Sequence, residues 1–500
     1  MLGLLLLLAA GVDATGRTAS TPTDTGRALQ SNVLFIITDD QDVALGSSRT
    51  GAARSASAAS VPSSVVVFSA SVTGKSGTFY PCTRIPSAIR LPASFASQAS
   101  GVDTILAFAE CRRWVGDQCC PTKCCGPNAT NSSCPVPAGE PRCSGGCHPA
   151  NPSDPSKQQI TSVDTSDRYI CMKRSTDSGV SWSAMQENIT QMRSNNPSAV
   201  MSHLLEQPQV LLFHNQAQPH SGGQHVMGVW LHRSLDGGKT WPSEQASELK
   251  VTNIKGPNIV GPATAAIILP GHPGLTARIL LALYAHYDPP MMVAGVNASF
   301  AVNVLYSDDG GNRWTRSKTT LPFLGEPSLV ALPAMGKNAL MVNARCADTK
   351  FYNKGGHWSP CEPNSNGTGG HRGVSLSTDG GVTFAPAHYP SDLPSPGCQG
   401  STLLLADKSI AYSGDDSRSA RQNMTIKVAE AGQTTFPLAF SKHSPLVSEA
   451  EVGHVKSLSG YSALLESSDF RVGALWEGQG GDECTGSSCT IRLSFVPRKR

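Results

Sequence analysis

The sequence is poor in charge and in aromatic residues, and no long helical pattern runs through it. Only 15% of its 500 residues are charged and 6% are aromatic, whereas 48 are Gly and 35 are Pro. This composition argues against coiled coils and long solvated helices, and its many turn formers favour short strands. Hydrophobic residues make up 39% of the chain, which excludes global disorder. The length suits two or three average domains or one large all-β domain.

The sequence also lacks the marks of nucleic-acid-binding and membrane-spanning proteins. The net charge is only +3 and the one basic cluster, residues 498–500, ends the chain, so no nucleic-acid partner is expected. The one long apolar run, residues 2–11, is too short to cross a bilayer, so stable membrane insertion is not expected. Because this run adjoins Met1 and precedes small residues, it is typical of a cleavable secretory signal over residues 1–16, although the charged n-region is missing.

Fifteen cysteines indicate an oxidising compartment, and the predicted location is therefore outside the cell (secreted) or in a lysosomal or other lumenal compartment. Seven of them lie among Pro, Gly and Asn in residues 118–165, namely Cys119, Cys120, Cys124, Cys125, Cys134, Cys143 and Cys147. This pattern predicts an insertion cross-linked by disulfides, whose connectivity cannot be deduced from the sequence. A zinc site is the alternative. Cys484 and Cys489 are predicted to close a local loop, and the odd total leaves at least one thiol free or paired outside the chain. Six N-x-Ser/Thr sequons are compatible with secretion: Asn128, Asn131, Asn188, Asn297, Asn366 and Asn423.

One motif occurs four times along the chain. The pattern Ser-x-Asp-x-Gly-x-(Thr/Ser)-aromatic spans residues 175–182, 234–241, 307–314 and 377–384, and the third copy has Arg313 at the hydroxyl position. The Asp residues are 59, 73 and 70 residues apart, a spacing that suits one propeller blade of four strands with a long loop. The Asp can bond the backbone of a Gly-containing hairpin turn while the aromatic ring anchors it. These Asp boxes are therefore predicted to be structural.

Residues 17–77 stand outside this rhythm and are predicted to be a Ser/Ala-rich linker. Within them, residues 32–42 (NVLFIITDDQD) resemble the opening strand of the sulfatase family, in which paired Asp residues at the strand end contribute to a calcium site. Sulfatases also need a Cys-x-Pro-x-Arg or Ser-x-Pro-x-Arg segment, and the sequence has neither. No α/β domain fits before the β repeats begin. Sulfatase activity is therefore rejected, and the segment is interpreted as a vestige or a gene-model fusion.

Two further motifs, together with the four Asp boxes, resemble the sialidase (neuraminidase) family of retaining exo-glycosidases. They are Arg84-Ile85-Pro86 and, downstream, Phe108-Ala109-Glu110-Cys111-Arg112. The resemblance spans about residues 78–497 and implies an all-β, six-bladed β-propeller. The predicted organisation is therefore a propeller over residues 78–500 that carries the Cys-rich insertion 118–165.

The substrate of this family calls for arginines. A terminal sialic acid carries a carboxylate on its anomeric carbon, and Arg grips such a planar anion with two hydrogen bonds while keeping its proton. The family uses three arginines for this purpose, which match Arg84, Arg345 and Arg421. Arg418 is an open alternative to the third. By the same resemblance, Arg112 lies near the substrate carboxylate and the 4-position, and Glu477 supports Arg84.

The substrate carboxylate also constrains the nucleophile. An attacking Asp or Glu would meet a like charge, whereas a neutral Tyr activated by a nearby carboxylate avoids that repulsion. The resemblance implies Tyr461 as nucleophile, Glu326 as the group that takes its proton, and Asp117, shortly after Arg112, as general acid and base. Glu110 is predicted to be structural. The sequence has no His-Glu-x-x-His or comparable spacing of catalytic zinc ligands and no phosphate loop, and this chemistry requires no cofactor.

The predicted function is an exo-α-sialidase that hydrolyses terminal sialic acids with retention, and its partners would be sialylated glycoconjugates. A trans-sialidase would use the same residues and differ in how well the site excludes water. A non-catalytic propeller that binds sialic acid would need the arginines but not Tyr461, Glu326 and Asp117, and a propeller that binds only proteins would need none of them. The sequence leaves the sialyl linkage and the oligomeric state open.

Overall fold

A computed structural model of the chain describes residues 64–69, 72–80, 82–91, 102–113, 167–202, 208–217, 226–249, 258–270, 277–293, 296–347, 370–418, 421–446, 459–478 and 490–497. The predicted signal peptide, the sulfatase-like segment, the Cys-rich insertion, the Cys484–Cys489 loop and Asp117 lie outside the described residues. Within the described ranges, no helix is long and apolar enough to span a membrane.

Nearly all regular structure in the described ranges is β. In chain order the strands are β1 Val65–Phe68, β2 Val72–Thr73, β3 Phe79–Tyr80, β4 Cys82–Leu91, β5 Thr104–Arg113, β6 Asp167–Ser175, β7 Ser194–Ser202, β8 Gln209–Ala217, β9 Val226–Ser234, β10 Ala246–Glu248, β11 Asn258–Val260, β12 Ala266–Pro270, β13 Ala277–Val293, β14 Val296–Ser307, β15 Thr315–Arg316, β16 Leu321–Pro322, β17 Leu324–Ala331, β18 Leu340–Cys346, β19 Gly370–His371, β20 Gly373–Ser377, β21 Pro394–Ser395, β22 Ser401–Leu404, β23 Ile410–Asp415, β24 Met424–Ala429, β25 Lys442–Pro445, β26 Ser459–Glu466, β27 Val472–Gly478 and β28 Thr490–Val496. Two short 3-10 helices, Ser243–Gln245 and Pro333–Met335, accompany them.

These strands form six antiparallel blades, and the predicted all-β, six-bladed propeller is confirmed. In chain order the blades consist of β4–β6, β7–β10, β11–β16, β17 with β18 and β20, β22–β25, and finally β26–β28 with β1. The innermost strands contact one another in a closed ring that runs β4, β7, β12, β17, β22, β26 and back to β4. The innermost strands of the six blades therefore surround one central axis.

The sixth blade is completed by the start of the described chain. Strand β1 pairs antiparallel with β28, with Val65 opposite Leu493, so the two ends of the propeller close in one sheet. Residues 65–68 fall inside the predicted linker, and the propeller therefore begins earlier than residue 78. The run Val-Val-Val-Phe gave no signal strong enough to stand out, because it is short and set in Ser/Ala-rich sequence.

The strands are apolar on both faces because each blade lies between two others. In β5, Ile105 and Ala107 pack with Leu493 of the sixth blade, whereas Leu106 and Phe108 pack with Leu212 of the second blade. Successive side chains of a strand point to opposite faces, so the alternating residues serve two different cores. This double burial explains the short, nearly continuous hydrophobic runs of the sequence.

The four Asp boxes stabilise turns at one edge of the propeller. This is the edge at which the innermost strands end, opposite the edge at which they begin. In the second box, Asp236 accepts the backbone N–H groups of Lys239 at 3.0 Å and Thr240 at 2.9 Å, and the Thr240 hydroxyl at 2.6 Å. Burial opposes ionisation, but these hydrogen bonds prevail and lower the pKa of Asp236. In the third box, Arg313 donates only its backbone N–H to Asp309, at 2.8 Å. The boxes thus have the structural role that the sequence predicts.

Each later box is also tied to the preceding blade. Arg174 of the first blade donates to the carbonyl of Gly237 in the second box. Arg278 of the third blade donates to the carbonyl of Gly380 in the fourth box, at 3.0 Å. Arg233 of the second blade repeats this contact with Gly310 of the third box, at 3.3 Å. The boxes therefore join blades as well as closing turns.

The second glycine of a box is expected to be intolerant of any side chain. Gly238 has φ +79°, and an added Cβ would lie 2.4 Å from Leu106 Cδ1 of the preceding blade. Gly432 has a similar φ of +81° but no atom near its added Cβ, so it isolates the backbone effect. We expect Gly432→Ala to lower the free energy of unfolding by about 1–2 kcal/mol. Gly238→Ala should cost about 1–3 kcal/mol more, because it also overpacks the blade interface. Urea unfolding of both variants measures the difference, and equal losses would contradict this account of the box.

Candidate active site

The predicted site residues come from four blades and meet at one edge of the propeller. Arg84, Glu326 and Tyr461 lie near the beginnings of innermost strands β4, β17 and β26. Arg345 and Glu477 lie near the ends of the second strands β18 and β27. Adjacent strands of a blade are antiparallel, so the beginning of one and the end of the next share an edge. Side chains that are hundreds of residues apart in sequence therefore converge on the central axis.

A β-bulge re-aims the backbone at each of these strand beginnings. The register shifts between Arg84 and Ser87 in β4 and between Gly325 and Pro327 in β17. Ile85 and Glu326, inside these bulges, have φ of +56° and +44°. Positive φ is rare for such residues and recurs where a functional arrangement imposes it. A similar bulge in β7 carries Asn196 at φ +52°.

Glu477 fixes Arg84 with a two-pronged ion pair. Its carboxylate accepts Arg84 Nε at 3.1 Å and Arg84 Nη2 at 3.0 Å. The same carboxylate accepts the backbone N–H groups of Ile85 at 2.8 Å and Tyr461 at 3.2 Å. Both side chains are buried. Glu477 thus positions Arg84 and also the strand that presents Tyr461, in line with its predicted supporting role.

Glu326 links Tyr461 to Arg345. The Tyr461 hydroxyl donates to Glu326 Oε1, and Arg345 Nη1 donates to both oxygens of that carboxylate at 3.0 Å. Burial and the nearby Glu326 charge raise the pKa of Tyr461 well above its usual value. The phenol is therefore protonated at rest, and its proton points directly at a carboxylate that can accept it.

Of the two candidates for the third arginine, Arg421 and not Arg418 lies beside Tyr461. The Arg421 guanidinium lies 5.6 Å from the Tyr461 ring centroid, and that of Arg84 lies 5.3 Å from the same ring. Arg418 is exposed. Within the described ranges, Arg421 has no carboxylate at ion-pair distance, whereas Arg84 and Arg345 each have one. Arg84, Arg345 and Arg421, hereafter the arginine cluster, thus surround Tyr461 with Arg421 as its unneutralised member.

Arg112 lies at the end of β5 and is fully buried. Its Nη2 donates to Glu110 at 3.0 Å, and the other Glu110 oxygen accepts the backbone N–H of Asn196 at 2.8 Å. Arg168 approaches the same carboxylate to 3.9 Å. Glu110 therefore holds Arg112 and the neighbouring bulge, as expected for a structural residue. Asp117 follows this strand, but it lies outside the described residues and its place relative to Tyr461 stays a prediction.

Sequence reasoning did not single out two polar residues of this edge. Asp415 at the end of β23 is 2% exposed, and the unbridged thiol of Cys398 packs against Tyr461 and Ile85. Asp415 lies next to another Asp in a polar stretch, and Cys398 is one of fifteen cysteines, so no sequence motif indicates that either residue lies at the site. The bulge at Asn196-Pro197 repeats the X-Pro step of Ile85-Pro86, and that repeat could have been found.

The arrangement is suited to binding an anion and attacking a carbon beside it. Three guanidinium groups surround a tyrosine whose hydroxyl already bonds a carboxylate, and an anionic ligand would neutralise the charge of Arg421. No group of three or more potential metal ligands occurs in the part of the chain that the structure describes. The predicted zinc alternative concerned the Cys-rich insertion, which lies outside the described ranges.

Comparisons with known proteins find sialidases among the proteins that this chain resembles. No protein-family model matches the chain. Over 125 residues, or 23% of the chain, it is 29% identical to an exo-alpha-sialidase of Arthroderma benhamiae, and the match covers only 28% of that protein.

Solved structures extend the likeness to most of the fold. A Hadza microbial sialidase matches with a TM-score of 0.52 at 17% identity, and a variant of the NanB sialidase of Streptococcus pneumoniae with 0.51 at 12%. An intramolecular trans-sialidase of Ruminococcus gnavus matches with 0.50 at 13%. Each match covers 83% of the present chain, and they cover 66%, 68% and 94% of the other chains respectively. The present chain thus has a sialidase-type propeller, and the resemblance to the sialidase family that its motifs predict is confirmed.

Proposed function

We propose that the chain is an exo-α-sialidase that removes terminal sialic acids from glycoproteins, glycolipids and oligosaccharides. The observation that carries the proposal is the contact series from Tyr461 through Glu326 to Arg345. A neutral phenol beside a carboxylate base, set among guanidinium groups, has a specific use. It attacks a carbon that already bears a negative carboxylate, where an Asp or Glu nucleophile would be repelled.

Substrate binding would use the arginine cluster. Arg84 and Arg345 are rigid because Glu477 and Glu326 hold them, so little side-chain entropy is lost when they contact the ligand. Arg421 supplies the positive charge that no carboxylate offsets within the described ranges. The substrate carboxylate would lie among the three guanidinium groups, with the anomeric carbon above the Tyr461 oxygen.

The first chemical step would form a tyrosyl adduct. The Tyr461 oxygen bonds the anomeric carbon, its proton passes to Glu326, and the bond from that carbon to the leaving oxygen breaks. Asp117 would donate a proton to the leaving oxygen. In the second step water attacks the same carbon, Asp117 takes the water proton, and Tyr461 leaves and recovers its proton from Glu326. Two inversions give net retention.

A sialic-acid-binding propeller without turnover is the alternative that the site argues against. Such a protein would need the arginines, but the hydrogen bond from Tyr461 to Glu326 would have no use in it. A trans-sialidase would share every step except the acceptor. The location proposed for this activity is outside the cell or in a lysosome-like lumen, on the basis of the cysteine content and the N-terminal apolar run.

Proton NMR of the reaction with 3′-sialyllactose tests the proposal. We expect α-sialic acid to appear first and to convert slowly to the β anomer, and added lactose should not regain the sialyl group. If β-sialic acid appears first, the retaining mechanism is wrong. A transfer product would instead establish a trans-sialidase. Binding of the substrate without release would establish the lectin.

A further inference from the structure

Asp415 and Ser459 form a buried polar contact beside the arginine cluster. Asp415 ends β23 and is 2% exposed, and the Ser459 hydroxyl donates to its Oδ1 atom. The backbone N–H of Ser459 donates to the carbonyl of Arg421 at 3.1 Å. Ser459 also begins the strand that presents Tyr461. One serine therefore connects Asp415, the third arginine and the strand of the nucleophile.

Charged and titratable groups face Asp415 from several packed elements. They are Cys398 before β22, Tyr412 on β23 itself, Arg421 before β24 and Glu477 at the end of β27. The adjacent Asp416 bonds Lys427 at 2.7 Å instead. Glu477 is already paired with Arg84, and Glu326 with Arg345. Among the carboxyl groups near Arg421 in the described ranges, Asp415 is therefore the one that has no ion-pair partner of its own, and its charge interacts with that of Arg421.

Burial raises the pKa of Asp415 to about 7, against the opposing effects of the Ser459 hydrogen bond, the Cys398 thiol and the Arg421 charge, while Glu477 raises it further. The protonation state of this carboxyl group changes the net charge around Arg421. A protonated Asp415 leaves the Arg421 charge uncompensated, whereas an ionised Asp415 partly neutralises it and repels an incoming anion.

We propose that Asp415 is a positioning residue that sets the net charge of the arginine cluster and so the strength with which the cluster binds a sugar carboxylate. The inference rests on the proposed function, because it takes the cluster to be a sialic-acid site. Asp415 acts through Arg421 and through Ser459 rather than by touching the reacting atoms.

The sign of the pH effect follows from linkage. A bound carboxylate disfavours the ionised form of Asp415, so binding raises its pKa and takes up a proton. Affinity is therefore full below the pKa of the free protein and falls as the pH rises through it. Each unit by which the ligand raises that pKa corresponds to about a tenfold change in affinity.

Calorimetric titration with the 2,3-unsaturated analogue of sialic acid, between pH 5.5 and 8.5, tests the inference on the full chain. The Kd of the wild type should rise by roughly tenfold over this range if the bound ligand raises the pKa by one unit. In Asp415→Asn, which keeps the shape and removes the charge, Kd should be nearly independent of pH. Asp469→Asn is the control, since its carboxylate is exposed at the turn between β26 and β27 and accepts hydrogen bonds from Ser467 and Arg471 of that turn.

Ser459→Ala provides a second variant if Asp415→Asn does not fold. The Ser459 hydrogen bond lowers the pKa of Asp415, so its removal should move the rise in Kd to higher pH. A purely structural role would weaken binding equally at every pH. The inference is overturned if Asp415→Asn retains the wild-type pH dependence of Kd. If Asp415→Asn does not fold, the inference is overturned when Kd of Ser459→Ala rises at the same pH as Kd of the wild type. A wild type that binds no analogue at any pH would overturn the proposed function itself.

Discussion

Tyr461→Phe is expected to lower kcat for sialoside hydrolysis by about a thousandfold or more. The variant keeps the aromatic ring against Arg84 and Arg421 but loses the oxygen that would bond the anomeric carbon. KM should change little, because the arginine cluster and its carboxylate partners remain. Initial rates with a fluorogenic sialoside measure both constants.

The control for this variant is Tyr306→Phe. Tyr306 lies near the end of β14, at the Asp-box edge of the propeller, where the Arg278 guanidinium lies 4.2 Å from its ring centroid. This variant should retain wild-type kcat. Comparable turnover by wild type and Tyr461→Phe would show that the phenol oxygen is not the nucleophile.

Glu326→Gln is expected to lower kcat by roughly 10²–10⁴-fold, the range over which a positioned acid or base accelerates a reaction. Gln preserves the side-chain volume but cannot take the Tyr461 proton. The change also leaves Arg345 without its carboxylate partner, so binding of an anionic ligand should be unchanged or tighter. A fall in kcat without a rise in KM distinguishes the loss of the base from damage to the binding site.

Glu466→Gln matches this variant in type and burial. Glu466 is 7% exposed and lies at the far end of β26, where it accepts the backbone N–H of Ala406 at 2.8 Å. We expect it to lose some stability and to keep its activity. If Glu326→Gln and Glu466→Gln reduce kcat alike, the effect comes from unfolding, and Glu326 has no special part in catalysis.

Much of the site could be predicted because its residues lie in recognisable motifs. Arg84 and Glu477 are 393 residues apart, and Tyr461 and Glu326 are 135 apart, yet each pair is in contact. No local pattern predicts such contacts. They were anticipated only because the motifs resemble those of a family in which the fold brings these positions together.

Other features could not be predicted because local rules oppose them. Strand β13 extends to Val293 through Pro289 and Pro290, although proline usually ends a strand. Cys111 and Cys171 form a disulfide between β5 and β6, but the Cys-rich insertion separates them in sequence and many pairings were equally open.

Asp415 shows a different limit of sequence reasoning. Two adjacent Asp residues in a polar stretch predict a solvated loop, because a buried charge is costly without a partner. The structure instead buries Asp415 and leaves the Asp416 side chain 30% exposed. Packing of the fifth blade against the sixth determines which of the two is buried. Because both residues are Asp, the sequence does not distinguish them.

The proposed function requires that Tyr461 form a covalent bond to a sialic acid. Its most direct test is mass spectrometry of the full chain after incubation with 2,3-difluorosialic acid. Fluoride is a good leaving group at the anomeric carbon, and the second fluorine slows breakdown of the adduct by withdrawing electrons from the oxocarbenium-like transition state. We predict one fluorosialyl group on the peptide that contains Tyr461, and none in Tyr461→Phe. An adduct on another residue, or fluoride release without any adduct on Tyr461, would contradict the account.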